Sequence, residues 1–184
     1  MKVVFFGDSG VGKTTIINSF QSSPKAVEPT ISASSINLSV KTDDQDVDLN
    51  IWDTAGQDAF QAVAPQYAHG AKAVVFVFAL NDKSTFDNLE SWYEILTNSI
   101  SPTSTKMFIV GNKSDLQHVV TNDEITQYCE EKGIPYSEVS AKTNFGTNEL
   151  LNSIANSLKD ASFEMPEKVD FNQTNTKTDG GCSC

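Results

Sequence analysis

Gly7-Asp8-Ser9-Gly10-Val11-Gly12-Lys13-Thr14, the stretch GDSGVGKT at residues 7–14, has the G-x-x-x-x-G-K-[ST] spacing of a phosphate-binding loop. An apolar run, KVVFF at residues 2–6, precedes it, and apolar positions at helical spacing follow over residues 13–20. Strand, loop and helix therefore come in the order that such a loop requires. Glycines let backbone N–H groups curl around phosphate oxygens, the following helix adds the positive end of its dipole, and Lys13 supplies a cation for the β and γ phosphates. Ser9, Gly10, Val11, Gly12, Lys13, Thr14 and Thr15 are the candidate phosphate contacts, and Thr14 is a candidate Mg²⁺ ligand.

Working outward, residues 35–40 and 47–52 alternate polar and apolar around Thr42-Asp43-Asp44-Gln45, which reads as a hairpin and gives one antiparallel strand. Three later strand-like runs, residues 73–80, 107–111 and 136–140, are separated by helical stretches, the pattern of parallel strands with crossover helices. Ser84 is expected to cap a helix carrying Phe86, Leu89, Trp92, Ile95 and Leu96. Thr121-x-x-Glu124 is a capping box, Gly133 is a stop for that helix, and a last helix is expected near residues 147–158. The fold class is thus α/β, with one domain over residues 1–160. From about residue 161 to 184 the chain is polar, with few apolar residues and a Gly-Gly pair, and reads as a disordered tail.

Composition narrows the function. A net charge of −11 argues against nucleic acid as a partner, since phosphates would be repelled. No apolar run approaches the roughly 20 residues needed to span a bilayer, and no signal peptide is read at the start, which points to the cytosol. Three cysteines form no disulfide framework, and two of them, Cys182 and Cys184, lie at the terminus. All thirteen Lys-plus-Arg positions are lysine, so the chain has no arginine.

Two further groups sit at strand ends. Asp53, in Trp52-Asp53-Thr54-Ala55-Gly56-Gln57, ends the second hairpin strand, where its carboxylate can reach a bound Mg²⁺ through water and Gly56 can offer an N–H to a γ-phosphate. Asn112-Lys113-x-Asp115 follows a strand and lies at the carboxyl edge of the sheet, where ligands of open α/β folds bind. A carboxylate there accepts from the N1–H and exocyclic amine of guanine, a donor pair that adenine lacks. Asp115 is therefore the candidate base selector. Ser140-Ala141-Lys142, after the next strand, can give a backbone N–H to the guanine carbonyl.

Taken together, these stretches resemble the nucleotide motifs of the Ras superfamily of small GTPases, over residues 2 to about 159. Within it the chain is most similar to the Rab branch, through the run from Trp52 to Gln57, through Ala64-Pro65-Gln66-Tyr67 and Gly70, and through the Cys-Ser-Cys ending. The Ala-Pro-x-Tyr stretch leans towards early-endosomal members. The resemblance implies a six-stranded, mostly parallel sheet with one antiparallel strand and helices on both faces. It implies GTP or GDP with Mg²⁺, Thr30 as a switch ligand of that ion beside Thr14 and Asp53, and Gln57 orienting the attacking water with Lys13. Residues 57–68 would form the second switch. It also implies regulation of vesicular traffic through effectors, an exchange factor and an activating protein. Because Gly181 stands where a C-a-a-X box needs cysteine, Cys182 and Cys184 instead match Cys-x-Cys endings that carry two geranylgeranyl chains. An escort protein, a geranylgeranyl transferase and a dissociation inhibitor are the partners this implies, with cycling between cytosol and the cytosolic face of an endosomal or other vesicular membrane.

The chain departs from the family's pattern in three places. The loop between Thr14 and Thr30 is a residue or two shorter than usual and lacks the aromatic beside the guanine. Ser35 replaces a phenylalanine expected beside Trp52 and Tyr67. Asp58-Ala59-Phe60 replaces the usual Glu-Arg-aromatic. The alternative reading is a module that carries GTP without useful hydrolysis, which Gln57 disfavours. An ATPase is disfavoured by Asp115.

Overall fold

The computed structural model describes residues 1–21, 33–56, 61–100 and 104–159. Thr30, Gln57, the stretch Asp58-Ala59-Phe60 and the tail with Cys182 and Cys184 lie outside them.

Among the described residues six strands form one sheet. They are β1 (Lys2–Phe6), β2 (Ser34–Lys41), β3 (Asp46–Asp53), β4 (Ala73–Ala79), β5 (Lys106–Asn112) and β6 (Tyr136–Glu138), in the spatial order β2-β3-β1-β4-β5-β6. Only the β2–β3 pair is antiparallel, with Ile36 opposite Ile51 and Val40 opposite Val47. The Thr42 hydroxyl and N–H both donate to the Gln45 carbonyl, at 2.6 and 3.0 Å, closing the expected turn.

The central strands β1, β4 and β5 are near-continuous apolar runs, β4 without interruption, because helices cover both faces. Val3, Phe5, Val75, Val77 and Val110 pack with Ile16 and Ile17 of α1 (Lys13–Ser19) and with Leu150, Ile154 and Leu158 of α6 (Thr147–Lys159). Val4, Phe6, Val74, Phe76 and Phe78 face the other way. There they meet α2 (Ala64–Ala68), α3 (Lys83–Asp87), α4 (Leu89–Thr97) and α5 (Asn122–Lys132) through Ala64, Phe86, Trp92 and Ile125. Alternation survives only in β2 and β3, away from the sheet centre.

Most expected elements are present, with three corrections. Asp82, not Ser84, caps α3: its carboxylate accepts from the Ser84 N–H and hydroxyl at 3.1 and 2.7 Å. The expected single helix is divided at Asn88, whose side-chain amide is committed to Asp8 in the phosphate loop. The last strand stops at Glu138, two residues early, and Ser140 instead turns its hydroxyl to Asp115 and forms an isolated bridge with Phe145. Helix α2 was not foreseen, although Pro65 near its start and Gly70 (φ 71) beyond its end are the signals that could have marked it. The capping box of α5 is present in both directions, and Gly133 ends that helix at φ 64.

Candidate functional site

The loop between β1 and α1 is held tightly by its neighbours. Gly12 lies at φ 99, and a Cβ there would collide with the Asn112 side-chain amide. That amide joins two loops: Nδ2 donates to the Val11 carbonyl at 2.8 Å, and Oδ1 accepts from the Ala141 N–H at 3.1 Å. Asn112 was expected among the nucleotide contacts. In this arrangement both ends of its amide serve the protein, and it fixes the phosphate loop against Ser140-Ala141-Lys142.

Lys13 is 5% exposed, and its Nζ donates to the carbonyls of Gly7 and Asp8 at 2.7 and 2.8 Å. The ammonium is thereby folded back along the loop. Burial pulls its pKa down to about 8, opposed by the carboxylates of Asp53 and Asp8. Gly56 leaves no room for a side chain, since a Cβ would collide with the Asp8 main chain and the Lys13 ammonium. The segment after β3 is thus seated directly on the loop.

At the start of α1, the Thr14 hydroxyl donates to Asp53 Oδ2 at 2.6 Å. A hydroxyl and a carboxylate meeting beside the phosphate loop are hard oxygen donors, the set that Mg²⁺ takes while keeping waters and substrate phosphates as its other ligands. The residues present therefore fit that ion. Thr54 is pinned by its hydroxyl to the Phe5 carbonyl at 2.6 Å, which holds the end of β3 to β1.

The remaining candidates converge on one cleft of about 240 Å³, lined by Gly10, Gly12, Thr15, Lys113, Asp115 and Lys142 among others. Asp115 Oδ1 accepts from the Ser140 hydroxyl at 2.7 Å, and Lys142 Nζ lies 3.8 Å from Oδ2. The Ser140 hydroxyl, with help from the Lys142 ammonium, holds the Asp115 carboxyl below the usual carboxylate range. Asp115 is thus fixed as an anion and an acceptor at the cleft. Lys113 adopts φ 66, a left-handed conformation that a non-glycine residue keeps only under constraint from its surroundings.

Sequence reasoning missed two contributors. Leu116, 43% exposed, lines the same cleft and supplies apolar surface there. A lone leucine in a polar loop was its only signal. Asp8 is bonded by Asn88 Nδ2 and Trp92 Nε1 at 2.7 and 2.8 Å, a contact 80 and 84 positions away that no local pattern announces. Among the described residues no helix is long and apolar enough to cross a membrane.

A phosphate loop, an oxygen pair suited to a divalent cation and a cleft with one fixed carboxylate, Asp115, at the carboxyl edge of a mainly parallel sheet define the site of a phosphate-loop nucleotide-binding protein. The model of the Ras family matches residues 2–160. Ras-related protein Rab7 of Pisum sativum is 34% identical over 198 residues, covering 100% of this chain and 96% of the relative. Ras-related protein RABG3c of Arabidopsis thaliana is 35% identical over 198 residues with the same coverage, 100% and 96%. GTP-binding protein yptV5 of Volvox carteri is 33% identical over 196 residues, 99% of this chain and 96% of the relative. The chain belongs to the Ras family, as a Rab-type small GTPase. With that membership come GTP binding, GTPase activity and a switch role in membrane traffic.

Proposed function

We propose that the chain is a Mg²⁺-dependent switch that holds guanine nucleotide in the cleft bounded by Asp115 and the phosphate loop, and hydrolyses GTP slowly. The observation that carries this reading is the fixed Asp115 carboxylate, braced by Ser140 and Lys142 in the cleft that also contains Gly10, Gly12 and Thr15. Its two oxygens accept the N1–H and exocyclic amine of guanine, and the Ala141 N–H turns from Asn112 Oδ1 to the base carbonyl. Lys13 turns from the Gly7 and Asp8 carbonyls to the β and γ phosphates. Backbone N–H groups of residues 9–15 line the phosphates, and Gly56 gives its N–H to the γ-phosphate.

Thr14 and Asp53, joined by Thr30, would hold Mg²⁺, which supplies charge neutralisation across the β and γ oxygens when bound. Gln57 orients the attacking water. Binding of GTP orders Thr30 and Gly56 towards the γ-phosphate, effectors bind the ordered surface, and hydrolysis releases it. An exchange factor restores GTP, and an activating protein supplies the arginine that the chain lacks.

Residues 161–184 are proposed as a lipid-bearing tail. Geranylgeranyl chains on Cys182 and Cys184, delivered with an escort protein and transferase, would place the protein on the cytosolic face of an endosomal or other vesicular membrane. A dissociation inhibitor would return it to the cytosol. One chain binds a membrane only marginally, and a net acidic tail adds no attraction to anionic lipid.

The test is Asp115→Asn. The variant turns one acceptor into a donor facing a guanine donor, so GDP affinity falls by at least about tenfold while xanthosine diphosphate, which presents an oxygen there, binds better than to the unaltered chain. Equal competition by ADP and GDP for labelled GDP on the unaltered chain would sink the reading.

A further inference from the structure

We infer that Asp8 is a positioning residue that anchors the phosphate loop to α4, so that the grip on nucleotide depends on Trp92 and Asn88, neither of which lines the cleft. This rests on the nucleotide reading above and extends it to a region that the binding motifs do not include.

Both oxygens of the Asp8 carboxylate are taken by donors from one part of the chain: Oδ1 accepts from Trp92 Nε1 at 2.8 Å, and Oδ2 from Asn88 Nδ2 at 2.7 Å. Hydrogen bonds to an ionised acceptor are roughly twice as strong as neutral ones. The Trp92 indole is 1% exposed and packs on Phe6, with ring centroids 6.0 Å apart, so the donor is held in place by the core. Asn88 sits at the break between α3 and α4, where its amide is oriented by neither helix interior.

The main chain of the same residue performs a second task. Its carbonyl accepts from Lys13 Nζ at 2.8 Å, and Gly56 rests directly on its peptide group. Asp8 thus joins α4 and its preceding break by its carboxylate and the segment leading to Gln57 by close packing, while its carbonyl holds Lys13 until phosphate takes the ammonium. A carboxylate in a phosphate loop also adds negative charge where phosphate binds. Two N–H donors on one carboxylate fix the position of that charge and offset part of it. Helix α2 packs against α4 as well, so α4 touches both the phosphate loop and residues 64–68, the last part of the expected second switch.

The experiment uses the full chain loaded with labelled GDP and Mg²⁺, and reads the GDP dissociation rate in Asp8→Ala, Trp92→Phe, Asn88→Ala and the double variant Asp8→Ala/Trp92→Phe. Loss of a charge-assisted bond to the loop speeds release by about tenfold in Asp8→Ala and by less in each donor variant. The double variant releases GDP no faster than Asp8→Ala alone, because the indole acts only through the carboxylate. Ile154→Val, in the opposite core layer, lowers the melting temperature without changing the release rate, which separates positioning from general loss of stability. The indole N–H resonance of Trp92, assigned by its absence in Trp92→Phe, moves when GDP is replaced by a non-hydrolysable GTP analogue.

Release rates for Trp92→Phe and Asn88→Ala within twofold of the unaltered chain would overturn the inference, as would additive effects in the double variant. An unaltered chain that retains no GDP would instead refute the nucleotide reading, and this inference with it.

Discussion

Lys13 is the residue at which structure and charge meet most directly. Its ammonium is buried and lowered to about 8, where the ordinary lysine value is 10.5. Phosphate oxygens favour the charged form, so a bound nucleotide raises that value and binding takes up a proton once the free site has begun to lose it. Affinity for GDP is therefore expected to fall roughly fourfold between about pH 7 and 8.5, with proton uptake visible as a buffer-dependent binding enthalpy. Stability of the nucleotide-free chain runs the other way. Between about 8 and 10.5 the unfolded chain holds a proton on this lysine that the folded chain does not, so the contribution to unfolding free energy rises with pH there. A flat affinity over the lower window contradicts the placement of Lys13 against phosphate.

At the scale of elements, α5 shows how much a short pattern can specify. Thr121 accepts from the Glu124 N–H, and the Glu124 carboxylate accepts from both the Thr121 N–H and its hydroxyl. These bonds, with the Lys83 ammonium 3.3 Å away, pull the Glu124 carboxyl down to about 2. Thr121→Ala is expected to lower the melting temperature by roughly 2–4 °C at neutral pH. Because the folded value is depressed, the stabilisation is present above the ordinary glutamate range and is lost as pH falls towards 2. Thermal unfolding of the variant at pH 7 and near pH 3 checks both statements; an unchanged midpoint at pH 7 would rule out the capping contribution.

The same helix was legible in the sequence because its signals are local. So were the phosphate loop, the hairpin and the carboxyl-edge motifs, each a run of adjacent residues whose chemistry is bound to its spacing. The division at Asn88 was not legible, since it coincides with a bond to Asp8 from across the fold. The double duty of Asn112 was hidden for the same reason: its partners, Val11 and Ala141, are brought to it only by the sheet. Helix α2 was missed because five residues give too little periodicity to separate a turn from a helix.

The whole molecule is a sheet that gathers residues from four separate stretches at one edge, with a chain end carrying two cysteines. If the tail acts through two lipid chains, Cys182→Ser/Cys184→Ser is expected to move the protein fully to the cytosol in cell fractionation, with each single variant displaced in part. Full membrane recovery of the double variant would remove lipid from the account. Composition bears on catalysis at this scale too. The chain has no arginine, so under the proposed mechanism the transition-state charge that an arginine finger stabilises in related enzymes is expected to be met from outside. Lysine is a poor replacement, being a point charge without the planar fork that engages two oxygens together.

Single-turnover hydrolysis of GTP by the isolated chain with Mg²⁺, repeated with an activating protein and with that partner's arginine replaced, tests the central claim most directly. The account predicts a lone rate on the order of 10⁻⁴ s⁻¹, a rise of up to about 10⁵ with the partner, and loss of that rise without its arginine. No hydrolysis in either setting, a lone rate near about 1 s⁻¹, or full stimulation by the arginine-free partner would contradict it.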